Sequence, residues 1–460
     1  QEINFRKVHK YTVLESQSTP FEDTLQRIIG SVTGGILAGI GLTLMCIRYP
    51  AFLIGLPLMV MGLFAFDGGL RFTTWGGLIA APALVYLLFI LAQAGLRVIV
   101  NRDGPWVRLG TIVTGLLLTA PFLAVNVAHA ISFKVGSPFM RNAIESLDAI
   151  RRDSTSGDYV MTWWDYGSGV WYYANRNVLM TPISASDDCW TIAKILNMDS
   201  QREAAQLARA ATLASMDGAR PAIHGLLGLG ESEQALRTPD ELLESLAEGP
   251  DQRRSTDPSV YLYVPIGQRE MLDLASVVAA YARADGTLPG SPGSGVCHSF
   301  MGSDTRQVGD NRWMLPNGFG LDLSDVRNPR AFVPVKTDQG YIQRPVAFRS
   351  ISLVRDIADM RAAVFTGQQD PTADRVYVKD GTFAYELKGP QETAPDDHLW
   401  VHLIVLEGSG RIMVMDDEFF NSNLIQMAVL QNLDPEYWTL LHKNASARVF
   451  KMTRPGADVE

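Results

Sequence analysis

The sequence predicts a multi-span α-helical membrane region followed by a mixed α/β extracytoplasmic domain with a β-rich later part. Three observations carry this. Four long, nearly uncharged runs fill the first third of the 460 residues. Charge is split unevenly: residues 1–135 hold 10 Lys/Arg and 6 Asp/Glu, and the rest holds 30 and 43. After a Gly/Pro/Ser stretch at Gly290–Gly295 the pattern turns from mixed helix and strand to short alternating strands. The expected organisation is residues 1–27 as the end of an external loop, 28–135 as four transmembrane helices, 136–289 as an α/β extracytoplasmic domain and 290–460 as its β-rich remainder.

Ile28–Ile47 carries no charge and matches the ~20 apolar residues that cross a bilayer. Ala51–Phe66 is shorter and needs neighbouring helices to shield its ends. Phe72–Leu96 and Leu109–Phe133 are both long enough. Gly34, Gly35, Gly39 and Gly41 give the first span a small-residue face suited to close helix approach. Arg48 joins the first two spans, and Arg97, Arg102 and Arg108 crowd the link between the last two. The excess of basic residues assigns both links to the cytoplasm. Four spans return the chain to its starting side, so residues 1–27 and everything after about 136 lie outside it. Thr19-Pro20-Phe21-Glu22 reads as a capping box with Pro at the first helical position, starting a short helix before the first span.

In the outer domain Asp158–Trp163 reads as a strand. Ser200–Glu203 and Thr238–Glu241 are capping boxes that start helices. Ser259–Pro265 is a strand followed by a helix through Ala282. Val376–Lys379 and Thr382–Leu387 flank Asp380-Gly381, a hairpin signal. Leu399–Leu406 and Arg411–Met415 form another strand pair, followed by a helix near Phe419–Leu430 and a strand at Ala447–Met452. The chain opens at Gln1 in polar sequence without a signal peptide, and is therefore expected to be a piece of a longer polypeptide that lacks its N-terminal membrane portion.

A net charge of -9 argues against a nucleic-acid partner. Three cysteines make no disulfide framework; Cys189 and Cys297 either pair or remain two buried thiols. His398 and His402 share a strand face, but two histidines without a third ligand rarely hold a metal. Asn444-Ala445-Ser446 fits a glycosylation pattern, yet His442 stands two positions before it and a strand follows, so it is read as unmodified.

The most informative run is Trp163-Trp164-Asp165-Tyr166-Gly167. An indole N–H donates and cannot accept; an ionised Asp accepts and cannot donate. Together they can hold one hydroxyl that does both, such as that of Ser or Thr. The pentapeptide is also the signature of the catalytic subunit of asparagine-linked oligosaccharyltransferases, and the chain resembles the C-terminal portion of the bacterial single-subunit members along its whole length.

That resemblance implies roles for particular residues. Thr12-Val13-Leu14-Glu15 is similar to the family's Thr-x-x-Glu motif, so Glu15 is expected to activate the acceptor amide and to bind metal. Arg27 resembles the arginine of bacterial members that favour an acid two positions before the acceptor Asn. Arg71, beside Gly68 and Gly69, resembles the arginine that contacts the donor pyrophosphate, for which a guanidinium fork is well suited. Trp163, Trp164 and Asp165 would hold the hydroxyl two positions after the acceptor Asn. Met271 and Leu274 resemble the bacterial helix motif that packs on the acceptor's threonine methyl, with Leu274 where Ile is usual. Mg²⁺ or Mn²⁺ would serve as Lewis acid.

Two departures stand out. The family's acidic Asp-x-Asp loops are absent from the sequence, and Thr181–Ser186 replaces a basic stretch that bacterial relatives carry after the pentapeptide. The implied protein sits in the bacterial inner membrane with its large domain in the periplasm. It moves an oligosaccharide from a polyprenyl pyrophosphate to Asn in Asn-x-Ser/Thr acceptor proteins, and this portion alone is expected to be inactive. The rival reading is a non-catalytic membrane receptor that binds Ser/Thr-containing peptides; Glu15 and Arg71 argue against it, since a pure binder needs neither.

Overall fold

The computed structural model describes residue 5, residues 19–100, 104–132, 139–182, 187–229, 236–266 and 411–454, and the strands that lie between 297 and 406. The chain divides into two units, Val8–Ser137 on one hand and Gln1–Lys7 with Pro138–Glu460 on the other.

In the first unit α1 (Phe21–Ile29) is the short helix expected before the first span, and α2 (Val32–Arg48) is the apolar helix that follows, starting four residues later than the predicted Ile28. They bend by 75° at Gly30-Ser31. Gly30 takes φ 87, a left-handed helix cap, and its N–H bonds the Gln26 carbonyl. Ser31 then caps α2, its Oγ accepting from Gly34 N at 3.0 Å. Two opposite cap signals side by side end one helix and begin another, and hydropathy alone does not register them. The Ile29 carbonyl that the break releases accepts from Asn126 Nδ2 at 3.3 Å, so an apolar bundle still satisfies it. The expected capping box at Thr19 is not formed. Pro20 is the N-cap rather than the first helical residue, and no side chain caps that end. Thr24 Oγ1 instead bonds the Pro20 carbonyl at 3.0 Å.

Three further helical segments, Pro50–Gly68, Leu70–Val100 and Pro105–Ser132, are long and apolar enough among the described residues to cross a membrane, and the bent pair makes a fourth candidate. Close approach is real at Gly41, where a Cβ would stand 2.0 Å from the Ala83 carbonyl oxygen, and at Gly62, 2.4 Å from Gly76 Cα. Gly39 faces nothing within 4 Å and takes no part in that contact.

The second unit is built on a five-stranded sheet flanked by helices: α3 (Arg141–Asp153), β1 (Tyr159–Met161), α4 (Trp164–Gly169), β2 (Asn177–Val178), α5 (Asp188–Asn197), α6 (Gln201–Met216), α7 (Ala222–Leu227), α8 (Pro239–Glu248), β3 (Val260–Pro265), β4 (Trp438–Lys443) and β5 (Ala447–Met452). The strand order is β4-β5-β3-β1-β2. β1 runs parallel to both β2 and β3, with Met161 opposite Leu262, while β5 runs antiparallel to β3 with Val264 opposite Arg448. All six residues of β3 are buried, as expected of a strand covered on both faces. One core cluster joins Leu147 and Ile150 of α3 to Val160, Val170, Ala174, Tyr261, Tyr263, Ala447 and Val449.

Ser200 caps α6 as predicted, and Thr238 with Glu241 forms the full capping box on α8. β4 has no counterpart among the strands expected from the sequence. The last two strands leave the β-rich region and complete the sheet that holds β1.

Asp158 ties the starting ends of β1 and β3 together. Its Oδ1 accepts from Ser259 N at 2.7 Å; its Oδ2 accepts from Thr155 N at 2.7 Å and from Thr155 Oγ1 at 3.1 Å. Asp158→Ala would strand the buried Ser259 N–H, and an unfolding titration is expected to show a loss of about 2 kcal/mol.

A second sheet of 11 strands lies between β3 and β4 in sequence. Its centre is the 17-residue strand Gly340–Asp356, antiparallel to Arg330–Thr337 and parallel to Leu399–Leu406. The predicted hairpin pairs as Ala373–Lys379 with Thr382–Leu387, and Leu399–Leu406 pairs with Arg411–Met415. The helix expected near Phe419–Leu430 is two short pieces, Asp417–Phe420 and a wider turn at Leu424–Val429.

Candidate functional site

The topology singles out one end of the five-stranded sheet. From β1 the chain crosses to β2 on one side, and from β2 it returns through α5–α8 to β3 on the other. The carboxyl ends of β1 and β3 therefore flank a switch point, the place where open α/β sheets hold their ligands. Trp163–Gly167 leaves β1 at that end.

Trp163 is the N-cap of α4 with extended backbone, and Tyr166 N bonds its carbonyl at 3.0 Å. The pentapeptide is thus a strand end turned into a helix rather than an extension of the strand. Trp163 is 3% exposed, Trp164 is half-buried, and Asp165 in the first turn of α4 is open to solvent.

Two residues of the run, for which the sequence suggested no chemistry, set its position. The Tyr166 ring packs between Phe139 at 6.5 Å and Tyr263 of β3 at 6.1 Å, fixing α4 to the strand beside it. Gly167 lies against the segment that follows β2: a Cβ there would be 2.0 Å from the Met180 carbonyl oxygen. Gly169 is held in the same way, 2.2 Å from the Phe139 ring. The Gly in the motif was the available signal for such an approach.

Beyond β2, Asp188 is 2% exposed and accepts from Ala222 N and Ile223 N, each at 2.9 Å. Burial pushes its carboxyl above the usual range, and the two backbone N–H groups oppose that shift. Asp187 Oδ2 lies 2.8 Å from His224 Nε2. Phe5 is 7% exposed and packs on this pair of helices, 5.9 Å from the Trp190 ring and 6.5 Å from His224. Glu15, ten residues along from it, lies outside the described residues, as do Met271 and Leu274.

In the membrane unit Arg27 is exposed in the last turn of α1, and Arg71 is exposed in the single turn Leu70–Phe72. Gly69 precedes that turn with φ 108 and ψ 161, a backbone that only glycine adopts readily. Thr73 Oγ1 bonds the Leu70 carbonyl at 2.7 Å and Thr74 Oγ1 bonds that of Arg71 at 2.9 Å. Arg71 is therefore carried on a fixed turn at the start of the long helix.

Among the described residues no group of three His, Cys, Asp or Glu could hold a metal ion. His402 Nε2 lies 2.8 Å from Asp417 Oδ1, and its ring stacks on Phe420 at 3.7 Å; this is a part-buried strand-to-helix contact. His398 lies outside the described residues. Cys189 is buried with Sγ 3.5 Å from Met180 Sδ, and the side chain of Cys297 is not among those described. The Asn444 amide is occupied by structure: its Nδ2 donates to the Asn142 carbonyl at 2.7 Å and to Ser146 Oγ at 2.9 Å, and its Oδ1 accepts from Ser446 N and Ala447 N.

Residues 156–287, which include the pentapeptide, match the family model described as the STT3/PglB/AglB core domain. Two curated relatives, both undecaprenyl-diphosphooligosaccharide–protein glycotransferases of Campylobacter jejuni (strains RM1221 and NCTC 11168), are 24% identical over 96% of the chain and 56% of their own length. The chain thus spans little more than half the length of the curated relatives it matches. Among solved structures, the C. jejuni PglB C-terminal domain is 22% identical over 67% of the chain and 99% of its own, with a TM-score of 0.46. The Archaeoglobus fulgidus oligosaccharyltransferase tethered to an acceptor peptide with an NVT sequon is 11% identical over 95% and 41%, with a TM-score of 0.44.

Proposed function

We propose that the chain is the C-terminal part of a bacterial oligosaccharyltransferase, which moves an oligosaccharide from a polyprenyl pyrophosphate to Asn in Asn-x-Ser/Thr acceptor proteins. The observation that carries this reading is the pentapeptide at the carboxyl end of β1, inside a matched core domain and at the sheet's switch point. Its large domain would face the periplasm.

In the reaction the anomeric C–O bond to phosphate breaks and a C–N bond forms to the acceptor amide. The pyrophosphate leaves with the bonding electrons and the amide gives up a proton. Asp165 would accept the hydrogen bond of the acceptor Ser or Thr hydroxyl, with the indoles of Trp163 and Trp164 closing around it. Met271 and Leu274, by the motif resemblance, would pack on the methyl group of an acceptor threonine. Arg71 would hold the donor pyrophosphate and Arg27 an acidic residue ahead of the acceptor Asn. Glu15 would hydrogen-bond the acceptor amide.

A Mg²⁺ or Mn²⁺ ion would neutralise charge on the leaving pyrophosphate. The described residues do not supply a ligand set for it, and Glu15 alone cannot. Its partners in the family pattern are carboxylates of loops that this sequence does not contain.

The test uses the full native polypeptide with a lipid-linked donor and an Asn-x-Thr peptide. Transfer is expected, and Asp165→Ala should raise the acceptor KM by about 10- to 100-fold, the value of one charge-assisted hydrogen bond. An unchanged KM would overturn the hydroxyl-reading role.

A further inference from the structure

Gly167 rests on the Met180 carbonyl, and what stands behind Met180 decides whether that carbonyl can retreat. The Met180 side chain is buried, with Sδ 3.5 Å from Sγ of the equally buried Cys189. Cys189 lies in the first turn of α5, directly after Asp188. The Asp188 carboxylate accepts from the backbone N–H groups of Ala222 and Ile223, which fixes the start of α5 to α7. The contacts therefore run from α7 through Asp188 and Cys189 to Met180, and from its carbonyl to Gly167, two residues after Asp165. The Tyr166 ring, against Tyr263, ties the same helix to β3.

We propose that Met180 is a positioning residue for Asp165: a strut between α5 and α4 that limits how far the helix carrying Asp165 settles toward the segment after β2. The inference rests on the reading of Asp165 as the group that meets the acceptor hydroxyl. With six residues, α4 has too few hydrogen bonds of its own to fix its place, so packing decides where Asp165 stands. A displacement of about 1 Å at such a group is enough to weaken its contact with a bound peptide. The unbranched thioether fills the space between the Cys189 thiol and the backbone that Gly167 meets. The buried Asp188 carboxylate, which the transfer reaction does not use, then has a purpose: it holds the far end of the strut.

The test compares Met180→Ala and Met180→Leu in the full native polypeptide by hydrogen exchange and by transfer kinetics. Ala removes the strut, and Leu restores its volume without the sulfur. Met180→Ala is expected to speed amide exchange across Trp164–Gly169 about tenfold or more, while the amides of β4 and β5 exchange as before. It is also expected to raise the acceptor KM about tenfold and to leave the donor KM unchanged. Leu should return both quantities most of the way. Cys189→Ala makes a smaller excavation on the same line and should give the same pattern at lower amplitude, which keeps the test open if Met180→Ala does not fold. Exchange that quickens equally in α4, β4 and β5 with an unchanged acceptor KM would mean general loss of stability and would overturn the proposal. So would α4 exchange that responds to neither variant. Exchange needs no transfer, so loosening confined to α4 in a protein whose parent transfers nothing would uphold the strut and overturn the transferase reading alone.

Discussion

Glu15→Ala is expected to stop oligosaccharide transfer while leaving acceptor peptide bound. The amide nitrogen of asparagine is a poor nucleophile because its lone pair is delocalised into the carbonyl. A carboxylate that accepts hydrogen bonds from its N–H groups can polarise or twist it, and that interaction matters most when the C–N bond is forming. Interactions made mainly in the transition state lower kcat when removed. A loss of about 10³-fold or more in single-turnover transfer is the expected scale for a group of this kind. Peptide affinity, measured by fluorescence anisotropy, should change by less than about tenfold, because on the proposed reading Asp165 and the indoles would hold another part of the peptide. Glu15→Gln keeps the shape and removes the charge, and should lose nearly as much. A transfer rate unchanged by Ala at position 15 would remove Glu15 from the mechanism. The same pair of measurements decides against a receptor, for which position 15 would affect neither quantity.

Gly167→Ala is expected to be the most damaging single methyl group among the described glycines of the second unit. The added carbon would stand 2.0 Å from the Met180 carbonyl oxygen and 3.1 Å from Thr181 Cα. Both are backbone atoms, so no side-chain rotation relieves the clash. The helix that carries Asp165 must move, or the segment after β2 must. Overpacking against a rigid neighbour costs about 3 kcal/mol or more. Chemical denaturation should show that loss, and acceptor binding should fall with it even at temperatures where the protein remains folded. A variant with native stability and native acceptor KM would show that Met180 yields freely and that the glycine is not a spacing device.

Much of the fold could be read from local pattern. The strand pair at Leu399–Leu406 and Arg411–Met415, the final strand Ala447–Met452 and the capping box at Thr238 all appear with the bounds that alternation and cap chemistry give them. The errors have physical causes. Gly30 and Ser31 set the start of the first apolar helix four residues beyond the predicted Ile28, because hydropathy sums over residues and caps act at single ones. β4 is half-buried along most of its length and has weak alternation. The pairing of β5 with β3 rests on contacts distant in sequence, which no local signal announces. At the candidate site, Trp163 and Asp165 stand out in the sequence by their donor and acceptor chemistry, and their proposed role rests on that chemistry and the motif. Gly167 does not stand out, because its reason is a carbonyl thirteen positions later that only the folded chain brings near. Glu15, Met271 and Leu274 lie outside the described residues and rest on the motif resemblance.

The pairing of Val264 with Arg448 has a consequence for how the protein is made. A strand beside the pentapeptide keeps an open edge until the ribosome has delivered β5. The whole 11-stranded sheet is synthesised in between. Closing so long a loop is slow, and an unpaired apolar strand edge is prone to wrong partners while it waits. The Asp158 tie between β1 and β3 involves only segments made earlier, so it can hold the two parallel strands in register during that interval. Premature termination before Trp438 would leave every residue of the pentapeptide intact and still yield a nascent domain without its closing strands, exposed to proteolysis.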